Sequence, residues 1–262
     1  MHQQSSNKAD LIDSCAPAYS ASRLAHLCRS HPCGSILVRW MHLDPGAEPM
    51  KFPKLKALGV GIGLFVAVYV PAFMTTAFVR PRIEIAIPLI IAITFLVALI
   101  LVFLLALPPA GIAEFGFRIP NSRYVAIGIV FGITLGLAVT FLSHLLPSKP
   151  PFDVSGFAPW MIGLYFVIGS PIQEEIIFRG LIQSMLERRW MVTFSLFGGS
   201  VSAAVVFTAV LFGVIHLEAG AVVALGAIIL GLVAGELRRR SGSLLPAIIV
   251  HALFNCVDAV WR

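Results

Sequence analysis

Runs of about twenty apolar residues follow one another along this chain from residue 57 to residue 261, separated by short polar connections. A helix of that length crosses the hydrocarbon core of a bilayer, which is about 30 Å thick. In lipid, only helices and closed barrels satisfy every backbone polar group, and no period-2 alternation indicates a barrel. The predicted fold class is therefore all-α, a polytopic membrane helix bundle.

The apolar windows predict about seven transmembrane helices. Their predicted bounds are 57–79, 83–107, 124–146, 158–180, 195–217, 219–237 and 244–261. Between the second and third, segment 111–121 (GIAEFGFRIPN) is too short and too charged to cross, and we expect it to be interfacial or re-entrant. Residues 1–50 are polar and lack an amphipathic period, which predicts a disordered extension before a transmembrane domain at 51–262.

Composition excludes a water-soluble domain and argues against a nucleic-acid-binding protein. The chain is 58% hydrophobic and 12% charged, whereas soluble domains carry about 25% charged residues. We expect an integral, multi-pass membrane protein, in the plasma or inner membrane if bacterial, with the lipid bilayer as a partner. The net charge of +6 comes from basic clusters at the ends of apolar runs, which is typical of topology signals and anionic headgroup contacts.

The basic residues also predict an orientation. Alternate connections carry the clusters Lys51/Lys54/Lys56, Arg118/Arg123, Arg188/Arg189 and Arg238/Arg239/Arg240. The other side receives only Arg80, Arg82, Lys149 and Arg262. Because cytoplasmic loops are enriched in Lys and Arg, the N-terminus is predicted to be cytoplasmic and the C-terminus to lie outside.

Three of the four cysteines lie in the polar extension, at Cys15, Cys28 and Cys33, and the fourth is Cys256. The run 26–33 (HLCRSHPC) mixes residue types that bind zinc, but its spacing matches no standard finger. A disordered tail that contains thiols is the favoured interpretation.

Three polar clusters interrupt the apolar C-terminal half of the chain: 174–179 (EEIIFR), 212–216 (FGVIH) and 251–255 (HALFN). A charge at mid-bilayer costs about 2.5–3.5 kcal/mol on insertion scales, so such residues are rarely kept for packing. Together the clusters supply two Glu, an Arg, two His and an Asn. These are the parts of a hydrolytic site between helices that acts through an activated water, with or without zinc.

The first cluster lies on the fourth predicted span, where Pro171 predicts a kink that frees a backbone carbonyl. Glu175 and Arg179 are spaced i,i+4 on one face and can neutralise each other. Glu174 points about 100° away and is expected to lack a partner within the helix. An unpaired carboxylate in a low-dielectric setting is a candidate general base. The alternative is a helix end at the interface, with both carboxylates solvated.

The other two clusters place imidazoles on two further spans. Phe212 and His216 share one helix stripe, and an interfacial histidine is the alternative. His251 and Asn255 are also spaced i,i+4, so they face one cavity together. A histidine can bind a metal or donate a hydrogen bond, and an asparagine can donate to a developing oxyanion. The alternative for Asn255 is a packing hydrogen bond to a neighbouring helix.

Counting along straight spans puts His216 toward the far side of the membrane from Glu174 and His251. For the three side chains to converge, the fifth helix must tilt or start deeper, after the break at 198–199 (GG).

The ordered set Glu-Glu-x-x-x-Arg, Phe-x-x-x-His and His-x-x-x-Asn resembles the CPBP intramembrane proteases, also called the Abi family. This group contains the CAAX prenyl proteases and the bacteriocin-processing enzymes. The resemblance covers roughly residues 110–260, including Gly180 after the first motif and the turn 241–244 (SGSL) before the third.

The resemblance implies a hydrolase, an intramembrane endopeptidase that cuts a peptide bond in a membrane-associated or lipidated peptide or protein, for example one with a prenylated CAAX tail. It implies that Glu174 is the main catalytic carboxylate and acts with His216 to activate water. His251 and Asn255 would stabilise the oxyanion or help to hold a metal.

The resemblance further implies supporting roles for Glu175 and Arg179, with Phe212 shaping the pocket. The family is commonly called metalloprotease, and a metal-free, glutamate-based mechanism is also proposed for it. The chain lacks the His-Glu-x-x-His helix of zincins, so a zinc ion would need ligands from separate helices. Those ligands would be His216, His251 and Glu174.

Two functions from other classes remain as alternatives. A proton-coupled transporter also uses intramembrane Glu and His, but it predicts inverted repeats with paired broken helices, and the sequence shows no convincing internal repeat. A non-catalytic membrane scaffold or immunity protein would keep the fold without turnover, and the presence of every motif residue argues against it.

Overall fold

The computed structural model describes residues 53–79, 83–106, 111–146, 158–190, 192–196 and 199–261. The predicted extension at 1–50, with its three cysteines, lies outside these residues. The described part of the chain contains seven helices and one short β-hairpin, so the predicted class of helical membrane bundle is confirmed.

The helices are α1 Pro53–Val79, α2 Ile83–Leu105, α3 Ser122–Leu145, α4 Pro159–Glu187, α5 Ala203–Val214, α6 Ala221–Ser241 and α7 Leu245–Trp261. The strands are β1 Thr193–Leu196 and β2 Gly199–Ser202. Two short 3₁₀ helices, Ile112–Phe115 and Leu217–Ala219, precede α3 and α6.

Four helical segments of the described chain are long and apolar enough to cross a membrane: Leu55–Thr75 within α1, and all of α3, α4 and α6. Three shorter apolar segments are Ile91–Leu105 within α2, α5 and α7. Each of the seven predicted spans therefore overlaps a helix, and four of these helices reach spanning length by this measure.

Helix α4 lies at the centre of the bundle, and every residue from 176 to 186 is buried. The outer helices instead expose large apolar side chains, such as Phe73 at 73% and Val130 at 62%. Such exposure is unfavourable in water and favourable in hydrocarbon, so these faces are suited to contact lipid.

Helix α4 contains two π-helical segments, which are separated and flanked by α-helical turns. It is π-helical over Gly163–Gly169, α-helical over Ser170–Glu175 and π-helical again over Ile176–Gln183. Pro171 lies in the first turn of the central segment. Local π-helical geometry is rare in proteins, and where it occurs it is often found at a functional site. Both glutamates of the first cluster stand at the end of the central α-helical segment, directly before the second π-helical segment.

A stripe of glycines lets α3 and α7 approach closely. The stripe repeats every four residues, at Gly128, Gly132 and Gly136. A Cβ on the middle glycine would lie 2.8 Å from the carbonyl oxygen of Val250, which is closer than real Cβ contacts. The position of α7, which carries His251, is therefore set by backbone-to-backbone packing.

The predicted fifth span, 195–217, is wrong at its start. Strands β1 and β2 pair antiparallel there, with Thr193 opposite Ser202, and helix α5 begins only at Ala203. Ser202 ends the hairpin and caps the helix, because its side chain accepts a hydrogen bond from the Ala204 amide. The helix thus starts beyond the 198–199 break, as convergence of the polar clusters requires.

The segment predicted to be interfacial joins three of the basic clusters at one end of the bundle. Arg188 forms a 2.8 Å ion pair with Glu114, whose carbonyl accepts a 2.7 Å hydrogen bond from Arg238. The hydroxyl of Ser243 donates to the carbonyl of Arg118 at 2.5 Å. The connections that the sequence places on one side of the membrane are thus in contact.

Candidate active site

His251 on α7 lies between the two glutamates of α4. Its Nδ1 is 2.9 Å from Oε1 of Glu175, and its Nε2 is 3.8 Å from Oε2 of Glu174. His251 is 3% exposed, so the three groups meet inside the protein. The first and third polar clusters of the sequence therefore form one constellation.

The predicted pairing of Glu175 with Arg179 is confirmed. Nη1 of Arg179 donates to Oε1 of Glu175 at 3.1 Å, and both side chains are completely buried. The same carboxylate oxygen receives the His251 contact, so the guanidinium and the imidazole share one acceptor. The Arg179 guanidinium also lies 4.7 Å from the ring centroid of Phe212. This arrangement fixes the orientation of the His251 ring.

Glu174 has a partner within its own helix, contrary to the prediction. The hydroxyl of Ser170, one turn earlier, donates to Oε1 of Glu174 at 2.5 Å. The i,i+4 spacing of Ser170 and Glu174 could have shown this in the sequence. The other oxygen, Oε2, is buried, and no residue of the described chain hydrogen-bonds it. One carboxylate oxygen is thus anchored while the second faces His251.

Phe212 connects the second cluster with the other two. Its ring centroid lies 4.6 Å from that of His216 and 5.5 Å from that of His251. Nδ1 of His216 is 2.7 Å from the Phe212 carbonyl oxygen. A carbonyl only accepts, so Nδ1 of His216 carries the proton in this contact and Nε2 is left as an acceptor. The Phe212 ring therefore connects His216 with the groups around His251.

The apparent mismatch in depth disappears with the late start of α5. His216 follows Ala203, the first residue of α5, by about thirteen residues, and Glu174 precedes Glu187, the last residue of α4, by about the same number. The start of α5 and the end of α6 lie close together. Arg239, near the end of α6, donates to the carbonyl of Ser200, just before α5, at 2.8 Å. Both groups are thus at similar distances from the same end of the bundle.

Asn255 makes a hydrogen bond to a neighbouring helix, which was the alternative for this residue. Its Nδ2 donates to the carbonyl oxygen of Phe166, in the first π-helical segment of α4, at 2.8 Å. In π geometry a carbonyl pairs with the amide five residues later, which for Phe166 is Pro171, and proline has no N–H. Asn255 therefore gives the Phe166 carbonyl a hydrogen bond that Pro171 cannot give, and it ties α7 to α4.

The three residues predicted as zinc ligands differ in how they are placed. Within the described ranges, no three His, Cys, Asp or Glu side chains are placed so that they could hold a metal ion together. Glu174 and His251 adjoin, whereas His216 is reached through the Phe212 ring. The residues do not fit a three-ligand site in this conformation, so no step of the proposed mechanism is routed through a metal.

One polar residue near the site went unnoticed in the sequence. Tyr69 on α1 has its ring 4.8 Å from that of Phe65 and 6.1 Å from that of Phe178 on α4. Its hydroxyl is buried, and no described residue hydrogen-bonds it. A tyrosine inside an otherwise apolar span was the available signal.

Comparison with known proteins identifies the part of the chain that carries the motifs. Residues 156–257 match the family model described as type II CAAX prenyl endopeptidase Rce1-like. No curated protein and no solved structure matches the chain. The matched segment contains all three polar clusters and helices α4 to α6 with most of α7. Residues 156–257, less than half of the chain, thus carry a Rce1-like domain of the type II CAAX prenyl endopeptidase kind.

Proposed function

We propose that this protein is an intramembrane endopeptidase of the CAAX type, which hydrolyses a peptide bond near the C-terminus of a lipidated or membrane-inserted substrate. One observation carries the proposal. The Oε2 atom of Glu174 is buried, no residue of the described chain hydrogen-bonds it, and it stands 3.8 Å from Nε2 of His251, between helices α4 and α7. A buried acid next to an imidazole is suited to proton transfer.

The separation of these two atoms suits a shared water. With hydrogen bonds of about 2.8 Å, one water can contact both Oε2 of Glu174 and Nε2 of His251 from the side. Glu174 takes a proton from this water as its oxygen attacks the scissile carbonyl carbon. The proton then passes to the leaving nitrogen as the C–N bond breaks, which gives a carboxylic acid and an amine.

Glu175 and Arg179 hold the His251 ring in an orientation that suits this role. With its Nδ1–H donating to Glu175, Nε2 accepts a hydrogen bond in the neutral ring and donates one in the protonated ring. The imidazole can therefore orient the water first and stabilise negative charge afterwards. The buried ion pair with Arg179 keeps the Glu175 carboxylate in place.

His216 supplies a second imidazole across the Phe212 ring. The family resemblance assigns His216 to water activation together with Glu174, whereas the 3.8 Å contact favours His251 as the nearer partner. Both histidines belong to the proposed site. Asn255 contributes by holding α4 and α7 together through the Phe166 carbonyl, and to donate to an oxyanion it would have to release that contact.

The proposed substrate is a peptide whose C-terminal part is attached to a lipid, of which a prenylated tail is the example that the family description suggests. The apolar outer faces of the bundle suit such a substrate, because its lipid chain can stay in the bilayer while the peptide reaches the site. The proposed orientation places the basic end of the bundle in the cytoplasm.

The test compares the wild-type protein with Glu174→Gln in lipid vesicles that contain a fluorogenic lipidated peptide. Loss of a general base lowers a rate by about 10²–10⁴-fold, so we expect at least a 10²-fold fall in kcat. His251→Ala and His216→Ala are expected to fall as well, and their relative losses rank the two imidazoles.

Glu218→Gln is the matched control, because Glu218 is an exposed carboxylate in the turn after His216. It should cleave at the wild-type rate. Full activity of Glu174→Gln, at equal amounts of folded protein, would overturn the proposal. Dialysis against a chelator tests zinc separately, and the arrangement of the donors predicts that cleavage persists.

A further inference from the structure

Helix α1 lies outside the family match, yet it brings a polar group to the proposed site. The match begins at residue 156, whereas Tyr69 belongs to α1, Pro53–Val79. None of the three motifs includes this residue, and segment 57–74 of α1 is otherwise apolar.

Aromatic contacts place Tyr69 on the catalytic face of α4. Its ring is 6.1 Å from that of Phe178, which in turn packs edge-on against Phe212 at 5.1 Å. Phe178 follows Glu174 by four residues, so the two side chains project from the same side of the helix. A continuous row of rings thus leads from Tyr69 to the Phe212 ring, which touches both imidazoles.

The hydroxyl of Tyr69 is a buried hydrogen-bond donor. No residue of the described chain hydrogen-bonds it, although buried phenol groups usually have a partner. The Phe178 ring, which packs against Tyr69, also lies 5.6 Å from the guanidinium carbon of Arg179, a member of the constellation around His251. The donor and the unpaired Oε2 of Glu174 are therefore polar atoms of one buried region.

We propose that Tyr69 is a further catalytic residue of the endopeptidase, and that its hydroxyl donates a hydrogen bond to the scissile carbonyl oxygen. As the water adds to the carbonyl carbon, the π electron pair of the C=O bond moves onto that oxygen. The phenol O–H stabilises the resulting oxyanion without giving up its proton. This inference rests on the proposed function of Glu174 and assigns a donor from outside the matched domain.

The proposal predicts an unusual pair of effects for Tyr69→Phe. Removal of one oxyanion donor lowers kcat by about 10²-fold in other enzymes, and we expect a similar loss with KM changed by less than about twofold. The thermal midpoint should rise or stay equal, because the variant keeps the ring contacts and removes a buried unpaired hydroxyl. A residue that only supports the fold would not lower kcat while the midpoint is maintained.

The experiment measures kcat, KM and the thermal midpoint of wild type, Tyr69→Phe, Tyr124→Phe and Glu174→Gln with the same lipidated peptide in vesicles. Tyr124, in the first turn of α3, is the matched control and should retain wild-type kinetics. A wild type that cleaves while Tyr69→Phe cleaves equally well overturns only the role of Tyr69. A wild type that cleaves no better than Glu174→Gln overturns the proposed function, and the catalytic role of Tyr69 with it.

Discussion

Each glutamate of the first motif has a partner one turn away on α4: Ser170 for Glu174 and Arg179 for Glu175. The second pair was predictable because an i,i+4 contact depends only on helical spacing. The contact between Glu175 and His251 was not, because it depends on how α4 and α7 pack, and local spacing contains no information about that. At the residue scale, helical spacing therefore predicts contacts within a helix, and it does not predict contacts between helices.

The buried ion pair leads to a prediction about stability. Arg179→Met removes the cation and leaves the fully buried Glu175 carboxylate without it. Breaking a buried pair in this way costs about 3–5 kcal/mol, so we expect a clearly lower free energy of unfolding in detergent. Chemical unfolding followed by circular dichroism measures it.

The double variant Glu175→Gln/Arg179→Met provides the control for that prediction. It removes both charges together, so it should regain part of the lost stability. Equal stability of Arg179→Met and wild type would contradict the interpretation of this pair as a structural support of His251.

At the scale of elements, the long apolar helices were predictable and their irregularities were not. Periodic apolar runs predict a span without specifying where helical type changes, so the two π-helical segments of α4 had no sequence signal beyond Pro171. Apolar content also hid the β-hairpin, whose residues fit a strand as well as a span. The consequence was an error of eight residues at the start of α5, which had made His216 appear misplaced.

The glycine stripe on α3 gives a prediction at this scale. A larger side chain at Gly132 must displace Val250 and the adjoining turn of α7, which carries His251. For Gly132→Leu we expect a loss of stability of about 1–3 kcal/mol and a fall in cleavage rate. Gly63→Leu on α1 is the control, because a Cβ at Gly63 meets no atom within 4 Å. Equal losses in both variants would speak against close α3–α7 packing as the cause.

At the scale of the whole molecule, the clusters of positive charge that the sequence assigns to one side of the membrane meet in the structure. Arg188 and Arg238 both contact Glu114, and Arg239 contacts the hairpin at Ser200. A charge pattern predicts sidedness because basic loops are retained in the cytoplasm, and this is independent of exact span bounds. The predicted sidedness therefore does not depend on where the fifth span begins.

This arrangement predicts the orientation of the chain. With the basic end in the cytoplasm and seven crossings, the N-terminus is cytoplasmic and the C-terminus lies outside. Alkaline phosphatase fused after residue 262 should be active in a bacterial host, and a fluorescent protein fused at that point should be dark. The opposite pattern at the C-terminus would contradict the predicted number of crossings, and a reversed N-terminus would contradict the orientation.

The shortness of α5 has a consequence for the surrounding lipid. Its twelve residues extend about 18 Å, whereas the hydrocarbon layer is about 30 Å thick. The acyl chains beside α5 must shorten or bend to meet it, or polar headgroups must sink toward the turn that follows. We therefore expect the thickness of the host bilayer to be one of the variables that affect the cleavage rate of the proposed endopeptidase.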